Sequence, residues 1–360
     1  MDHALRRARL AERLDALDLD ALIVTSLPNV RYLTGFSGSN GQVVVTRNGS
    51  AIFLTDGRYE ERSSHEVADL PRTAYRAGYP GPLADACRSL GAARAGFERG
   101  ALTFDLWERL VSAGDGLEIV PAEPAVEALR RCKDPDEVAA IDAAQRLADA
   151  AFEQVVLGGG LWEGRTEREL ARGLEAAMLD AGADDRGFET IVAFGPGAAE
   201  PHHHPSDRAL DRGDVVKLDF GALANGYHSD MTRTVAFGEP GGRLREIRDV
   251  VAASQQAGID AVRPGASTTD VDDAARSVIA QAGLAKAFPH GLGHGVGLEI
   301  HEAPFLRWDG PETLSEGMVV TIEPGVYIPG LGGVRIEDMV EVTADGGRQI
   351  PTAPKELIVL

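Results

Sequence analysis

Five side chains in the second half of this chain combine residue types and surroundings that point to chemistry. Asp219 lies in Val-Val-Lys-Leu-Asp-Phe-Gly-Ala, Asp230 in His-Ser-Asp-Met-Thr-Arg-Thr and His294 in Gly-Leu-Gly-His-Gly-Val-Gly. Glu323 lies in Val-Val-Thr-Ile-Glu-Pro-Gly and Glu337 in Gly-Val-Arg-Ile-Glu-Asp-Met-Val. Four of the five segments have the composition of strands. A carboxylate inside an apolar strand is costly unless it is paired or holds a cation. Four carboxylates carry about four negative charges, which two divalent cations would neutralise, while an imidazole fills a remaining position. The chemistry this set suggests is a two-metal hydrolytic centre.

Such a set needs two hairpins. Asp219 and Asp230 flank Ala224-Asn225-Gly226. An even-numbered loop there puts both carboxylates on one face of paired strands, opposite or one diagonal apart, whereas an odd loop without a bulge sends them to opposite faces. Glu323 and Glu337 flank Pro329-Gly-Leu-Gly-Gly333, where an odd loop or a bulge places them side by side. Like charges across a ladder repel, and cations between them would remove that penalty. Arg335, two residues before Glu337, shares its strand face; it is placed to orient a ligand carboxylate or to anchor hydrogen bonds around the site. Glycines at 291, 293, 295 and 297 are expected to let backbone approach the metals closely.

A chain of 360 residues accommodates two domains. Its formal net charge of −20 disfavours nucleic acid and anionic membranes as partners. Cys87 and Cys132 lie far apart with no C-x-x-C pattern, which argues against a disulfide framework or a zinc ribbon. The charged start Met-Asp-His-Ala-Leu-Arg-Arg lacks the apolar core of a secretory signal, and no apolar run approaches a membrane span. A cytoplasmic enzyme is the expectation.

The first third alternates helix and strand patterns. A stripe of Leu5, Leu10, Leu14 and Leu17 predicts a helix before the strand at 21–25, and segments 42–46 and 51–55 read as a hairpin around Asn48-Gly49. Pro121-Ala-Glu-Pro124 suggests a boundary, giving an α/β domain over 1–123 and an α+β domain over 124–360. In the latter, helical patterns at about 125–157, broken near Pro135, and 166–182 precede the first hairpin. Those at about 242–262 and 268–283 precede the second. Two helix-pair-plus-hairpin units suggest a pseudo-twofold arrangement.

With those flanking residues, the order Asp219, Asp230, His294, Glu323, Glu337 resembles the pita-bread metallopeptidases: methionine aminopeptidase, aminopeptidase P and prolidase. Leu-Gly-His294-Gly-Val-Gly-Leu-Glu-Ile-His301-Glu and Ile-Glu323-Pro-Gly-Val-Tyr resemble the proline-specific branch, microbial prolidases above all. Asn29-Val-Arg-Tyr-Leu-Thr-Gly35 and Leu54-Thr-Asp-Gly-Arg-Tyr59 are similar to the creatinase/prolidase N-terminal domain. The resemblance implies that Asp219 chelates one metal, His294 and Glu323 bind the other, and Asp230 and Glu337 bridge. It implies that Glu323 shuttles a proton and that His202 and His301 stabilise the carbonyl oxygen as it gains charge. His290 then contacts substrate, while His203 and His204 read as surface residues. Mn²⁺ suits the oxygen-rich donor set, with Co²⁺ and Zn²⁺ compatible.

The implied activity is cleavage of Xaa-Pro dipeptides, with release of the residue before proline from longer peptides as the alternative. A homodimer is implied as well. A catalytically silent binding module, or a metal-free C–N hydrolase of the creatinase kind, would have lost ligands that this chain retains. Phe305 and Trp308 are candidate apolar walls, but core or surface packing is the stronger reading for each.

Overall fold

The computed structural model describes residues 1–360, which form two compact units, Met1–Arg130 and Arg131–Leu360. The first is a six-stranded sheet with helices. Its strands are β1 (Ala21–Val24), β2 (Gly41–Thr46), β3 (Ala51–Asp56), β4 (Arg72–Tyr75), β5 (Arg94–Glu98) and β6 (Glu118–Ala122), in the order β4-β3-β2-β1-β5-β6. The β2–β3 hairpin has the expected register, Val45 opposite Ala51, and turns through Gly49 at φ 84°. The β1–β5, β5–β6 and β3–β4 pairs are parallel, giving a mixed α/β sheet.

The helices are α1 (His3–Ala16), α2 (Leu27–Thr34), α3 (Glu60–Glu66), α4 (Pro80–Ser89), α5 (Phe104–Ala113) and α6 (Ala125–Arg130). The leucine stripe of α1 is only partly buried. Leu10 and Leu14 enter the core, but Leu5 remains 47% exposed. Arg6 and Arg7 are buried instead, because they donate to the Tyr32 and Leu33 carbonyls at the end of α2, where cations complement a helix C-terminus. The short α6 follows the proline pair at 121–124 yet belongs to this unit. Arg130 Nη1 donates to Asn29 Oδ1 at 2.7 Å, so the unit ends a few residues beyond the boundary expected at 123.

The second unit begins with α7 (Pro135–Ala151), whose Asp134 and Glu137 form a capping box around Pro135 as the first helical residue. A π-helical turn, Phe152–Leu157, precedes α8 (Glu167–Asp180). Strands β7 (Asp185–Arg186), β8 (Ile191–Phe194), β9 (Val215–Phe220), β10 (Ala222–Ala224), β11 (Tyr227–His228) and β12 (Met231–Ala236) follow. Next come α9 (Gly242–Ala261), α10 (Thr268–Gln281), β13 (Gly293–Gly295), β14 (Glu302–Leu306), β15 (Val319–Ile322), β16 (Gly325–Ile328), β17 (Gly332–Arg335), β18 (Asp338–Thr343) and β19 (Gly346–Gln349). The sheets run β12-β9-β8 and β14-β13-β15-β18-β19, and β16–β17 form a two-stranded ribbon.

Two apolar cores divide this unit as two helix pairs would. One unites Ala148 and Phe152 with Leu170, Leu174, Val216, Leu218 and Val235. The other unites Val251 and Ile259 with Val271, Ala275, Val320, Ile322 and Val340. This is the pita-bread arrangement, each helix pair backing one sheet. No helix is long and apolar enough to cross a membrane.

Candidate metal centre

Alternation along β9 explains how an acid sits in an apolar strand. Val216, Leu218 and Phe220 enter the first core, so Lys217 and Asp219 take the opposite face. Across the ladder, Thr232 stands opposite Asp219. The same register continues through Leu223 opposite His228 to a two-residue turn at Asn225 (φ 51°) and Gly226 (φ 79°), the left-handed pair that a type I′ turn demands. This even loop leaves Asp230 one diagonal from Asp219, on the same face.

The second hairpin takes the odd loop. Ile322 pairs with Asp338 and Gly325 with Arg335, and Ile328 pairs with Gly332 around the three residues Pro329-Gly330-Leu331. Extending that register puts Glu323 directly opposite Glu337. Val320 and Ile322 pack into the second core, which turns Thr321 and Glu323 toward the first hairpin's acids.

The four acids and His294 line a single cavity of about 450 Å³. Ligand atoms of Asp230, His294 and Glu337 all lie within 4.8 Å of one another. His294 Nε2 is 3.6 Å from Asp230 Oδ2 and 3.4 Å from Glu323 Oε1. Burial, reinforced by neighbouring carboxylates, pushes the Asp230 and Glu337 carboxyls well above their usual range, and burial raises Glu323 to about 7. Burial lowers the His294 imidazole to about 4, which leaves it neutral and able to donate a lone pair. Asp219 Oδ1 is buried with no hydrogen-bond partner. Crowded acids, a neutral imidazole and an orphaned carboxylate oxygen fit divalent cations.

That electrostatic arrangement predicts a pH signature. In the metal-free protein, the raised carboxyls keep protons that the unfolded chain releases near its ordinary pKa. For Glu323 the stabilising contribution is therefore complete below about pH 4.5 and fades as the pH rises through about 7. Mn²⁺ added to chelated protein is expected to raise Tm more at pH 8 than at pH 5. Equal shifts at both values would contradict this account.

Arg335 anchors the first hairpin to the second. Its Nη2 pairs with Asp219, its Nε donates to Thr232 Oγ1 at 3.0 Å, and its Nη1 donates to Tyr327 Oη at 2.8 Å. Thr232 Oγ1 in turn donates to Glu337 Oε2 at 2.6 Å. Of the two uses open to Arg335, the geometry displays the anchoring one. Tyr327 then donates to His290 Nε2 at 2.9 Å, and His290 Nδ1 meets the Gly291 carbonyl at 2.8 Å. His290 thus lines the cavity with both ring nitrogens engaged by the protein. His202 and His301 also line the cavity, and His301 packs edge-on against His294 with ring centroids 4.4 Å apart.

His203 departs from its surface reading, while His204 keeps it. His203 is held by Glu200 at 2.7 Å and Glu167 at 2.9 Å, whereas His204 is exposed beside Glu189. Phe305 reaches the cavity wall together with Phe188, Ile191 and Ile300. Trp308 instead packs its ring under Arg276 at 4.9 Å and is 55% exposed. Two of the glycines around His294 are required by the sheet itself. A Cβ at Gly293 would fall 1.9 Å from the Thr321 carbonyl oxygen, and one at Gly295 would fall 2.5 Å from that of Ala303.

Thr232, Thr321 and Tyr327 complete the network; they stand inside the quoted motifs but were assigned no role there. Thr321 Oγ1 accepts from the His294 amide at 3.0 Å and donates to Glu323 at 3.2 Å. Their alternation with Asp230 and Glu323 was the available signal.

Comparison with known proteins adds independent findings. Residues 139–344 match metallopeptidase family M24, and residues 6–132 match the creatinase/prolidase N-terminal domain. An Xaa-Pro dipeptidase from Bacillus anthracis superimposes with a TM-score of 0.96 at 37% identity, covering 100% of both chains. The prolidase from Pyrococcus horikoshii gives 0.92 at 34%, covering 98% of this chain and 100% of its own. An X-Pro aminopeptidase from Thermotoga maritima gives 0.89 at 31%, covering 97% and 100%.

Proposed function

This chain belongs to metallopeptidase family M24, and on that footing we propose that it hydrolyses the bond before proline, with Xaa-Pro dipeptides as preferred substrates. The observation that carries the reading is the convergence of Asp230, His294 and Glu337 within 4.8 Å, in a cavity also lined by Asp219 and Glu323. In our assignment Asp219 would hold one divalent cation, His294 and Glu323 would hold the other, and Asp230 and Glu337 would serve both. Cations there would supply a Lewis acid and lower the pKa of water enough for attack at neutral pH.

The chain's own groups do the rest. Glu323, beside His294 and oriented by Thr321, takes the proton of the attacking water and returns it to the leaving nitrogen. His202 and His301 donate to the carbonyl oxygen as charge develops there. His290, neutral because burial and Arg335 lower it to about 3, shapes the substrate wall while Tyr327 fixes its ring. Phe188, Ile191 and Phe305 offer apolar surface to a pyrrolidine ring. A tertiary X-Pro amide has no N–H to satisfy, and protonation of its nitrogen is the step that Glu323 provides.

The structural likeness to an aminopeptidase supports a second reading, release of the first residue from longer X-Pro peptides. Turnover of Ala-Pro, Ala-Pro-Ala and a longer X-Pro peptide separates the two. We expect kcat/KM to be highest for Ala-Pro, and a preference for the longer peptides would favour the aminopeptidase. Mn²⁺ as the working metal follows from the oxygen-rich donors. A homodimer rests on family resemblance and is checked by light scattering.

A further inference from the structure

Lys217 has no role in the reaction described above, yet its amine is fully buried on the face of β9 that carries Asp219. Its Nζ donates to the Glu200 carbonyl and, at 3.3 Å, to that of Pro201. Arg335 Nη1 donates to the same Pro201 carbonyl at 3.2 Å. Lys217 Nζ also lies 5.2 Å from the centroid of the Tyr327 ring, within range of a cation–π contact. Two basic side chains therefore grip the backbone immediately ahead of His202. Just beyond it, the His203 ring is fastened between Glu200 and Glu167. Held on both sides, His202 faces the cavity.

A buried amine is costly to desolvate, and Lys217 offsets that cost by satisfying the Glu200 and Pro201 carbonyls. The two carbonyls it grips belong to irregular backbone, where no sheet ladder sets their direction.

We propose that Lys217 is a positioning residue: its amine fixes the Glu200 and Pro201 carbonyls so that His202 meets the scissile carbonyl oxygen. The inference rests on the role given to His202 above. It makes Lys217 act through that imidazole rather than through the metals, and it predicts that the two residues behave as a unit.

The test is a double-mutant cycle on the full-length, metal-loaded enzyme with Ala-Pro, using Lys217→Met, His202→Ala and the pair, with metal content and Tm measured for each. Lys217→Met is expected to lower kcat about ten- to a hundredfold, the scale of a small misplacement of a catalytic group. Its KM and bound metal should stay near those of the parent, and it should cost almost nothing further in the His202→Ala background. Equal losses in both backgrounds, or lost metal, would overturn the proposal. If His202→Ala is impaired while Lys217→Met is fully active, Lys217 alone is refuted. If His202→Ala keeps full kcat, the role of His202 fails and this inference with it. Should Lys217→Met not fold, judged by Tm, Lys217→Gln takes its place in the same cycle.

Discussion

Glu337→Gln is expected to lose bound metal and turnover together, with kcat/KM falling by more than about a hundredfold, the upper range seen when only an outer partner of a ligand is removed. Glu337 stands across from Glu323 and shares a 4.8 Å cluster with Asp230 and His294. Removing its charge takes away the group placed between the two cation positions. The same change relieves repulsion in the metal-free protein, because burial, then Glu337 itself, pushes the Asp230 carboxyl upward. Metal-free Glu337→Gln should therefore melt at or above metal-free parent protein at pH 8. Inactivity with raised stability separates a lost metal site from a misfolded chain. Full activity would remove the bridging assignment.

His202→Ala is expected to lower kcat by about a hundred- to a thousandfold, the cost of one donor to a developing oxyanion. Metal content should remain at the parent level, since His202 lines the cavity but is assigned to neither cation. KM should change little, because the interaction strengthens only as the carbonyl oxygen gains charge. Steady-state kinetics with metal analysis of the same sample decides the matter. Loss of metal would make His202 a ligand instead.

Much of this site was legible because strand alternation and turn length are local properties. Asp219 and Asp230 could be placed on one face once the loop between them was even, and Asn225-Gly226 has the residues that such a turn requires. The odd loop at Pro329-Gly330-Leu331 did the same for Glu323 and Glu337. The positions of helices followed from periodicity, as with α9 and α10.

What could not be read from the sequence was the pairing of side chains across distant segments. Lys217 and Thr232 alternate correctly toward the site, but nothing local says that one grips Glu200 and Pro201 while the other bridges Arg335 and Glu337. Arg6 and Arg7 displaced Leu5 from the core for a similar reason, since the α2 carbonyls they satisfy lie more than 20 residues away. The glycines near His294 suggested proximity to a ligand. For Gly293 and Gly295 the cause is the backbone of β14 and β15, which leaves no room for a Cβ.

Crystals soaked in Mn²⁺ and measured at the manganese absorption edge test the central claim most directly. Two anomalous peaks, roughly 3.5–4 Å apart as in other two-metal sites, should appear within bonding distance of Asp219, Asp230, His294, Glu323 and Glu337. A single peak, or peaks bound by other side chains while the enzyme cleaves Ala-Pro, would contradict the account.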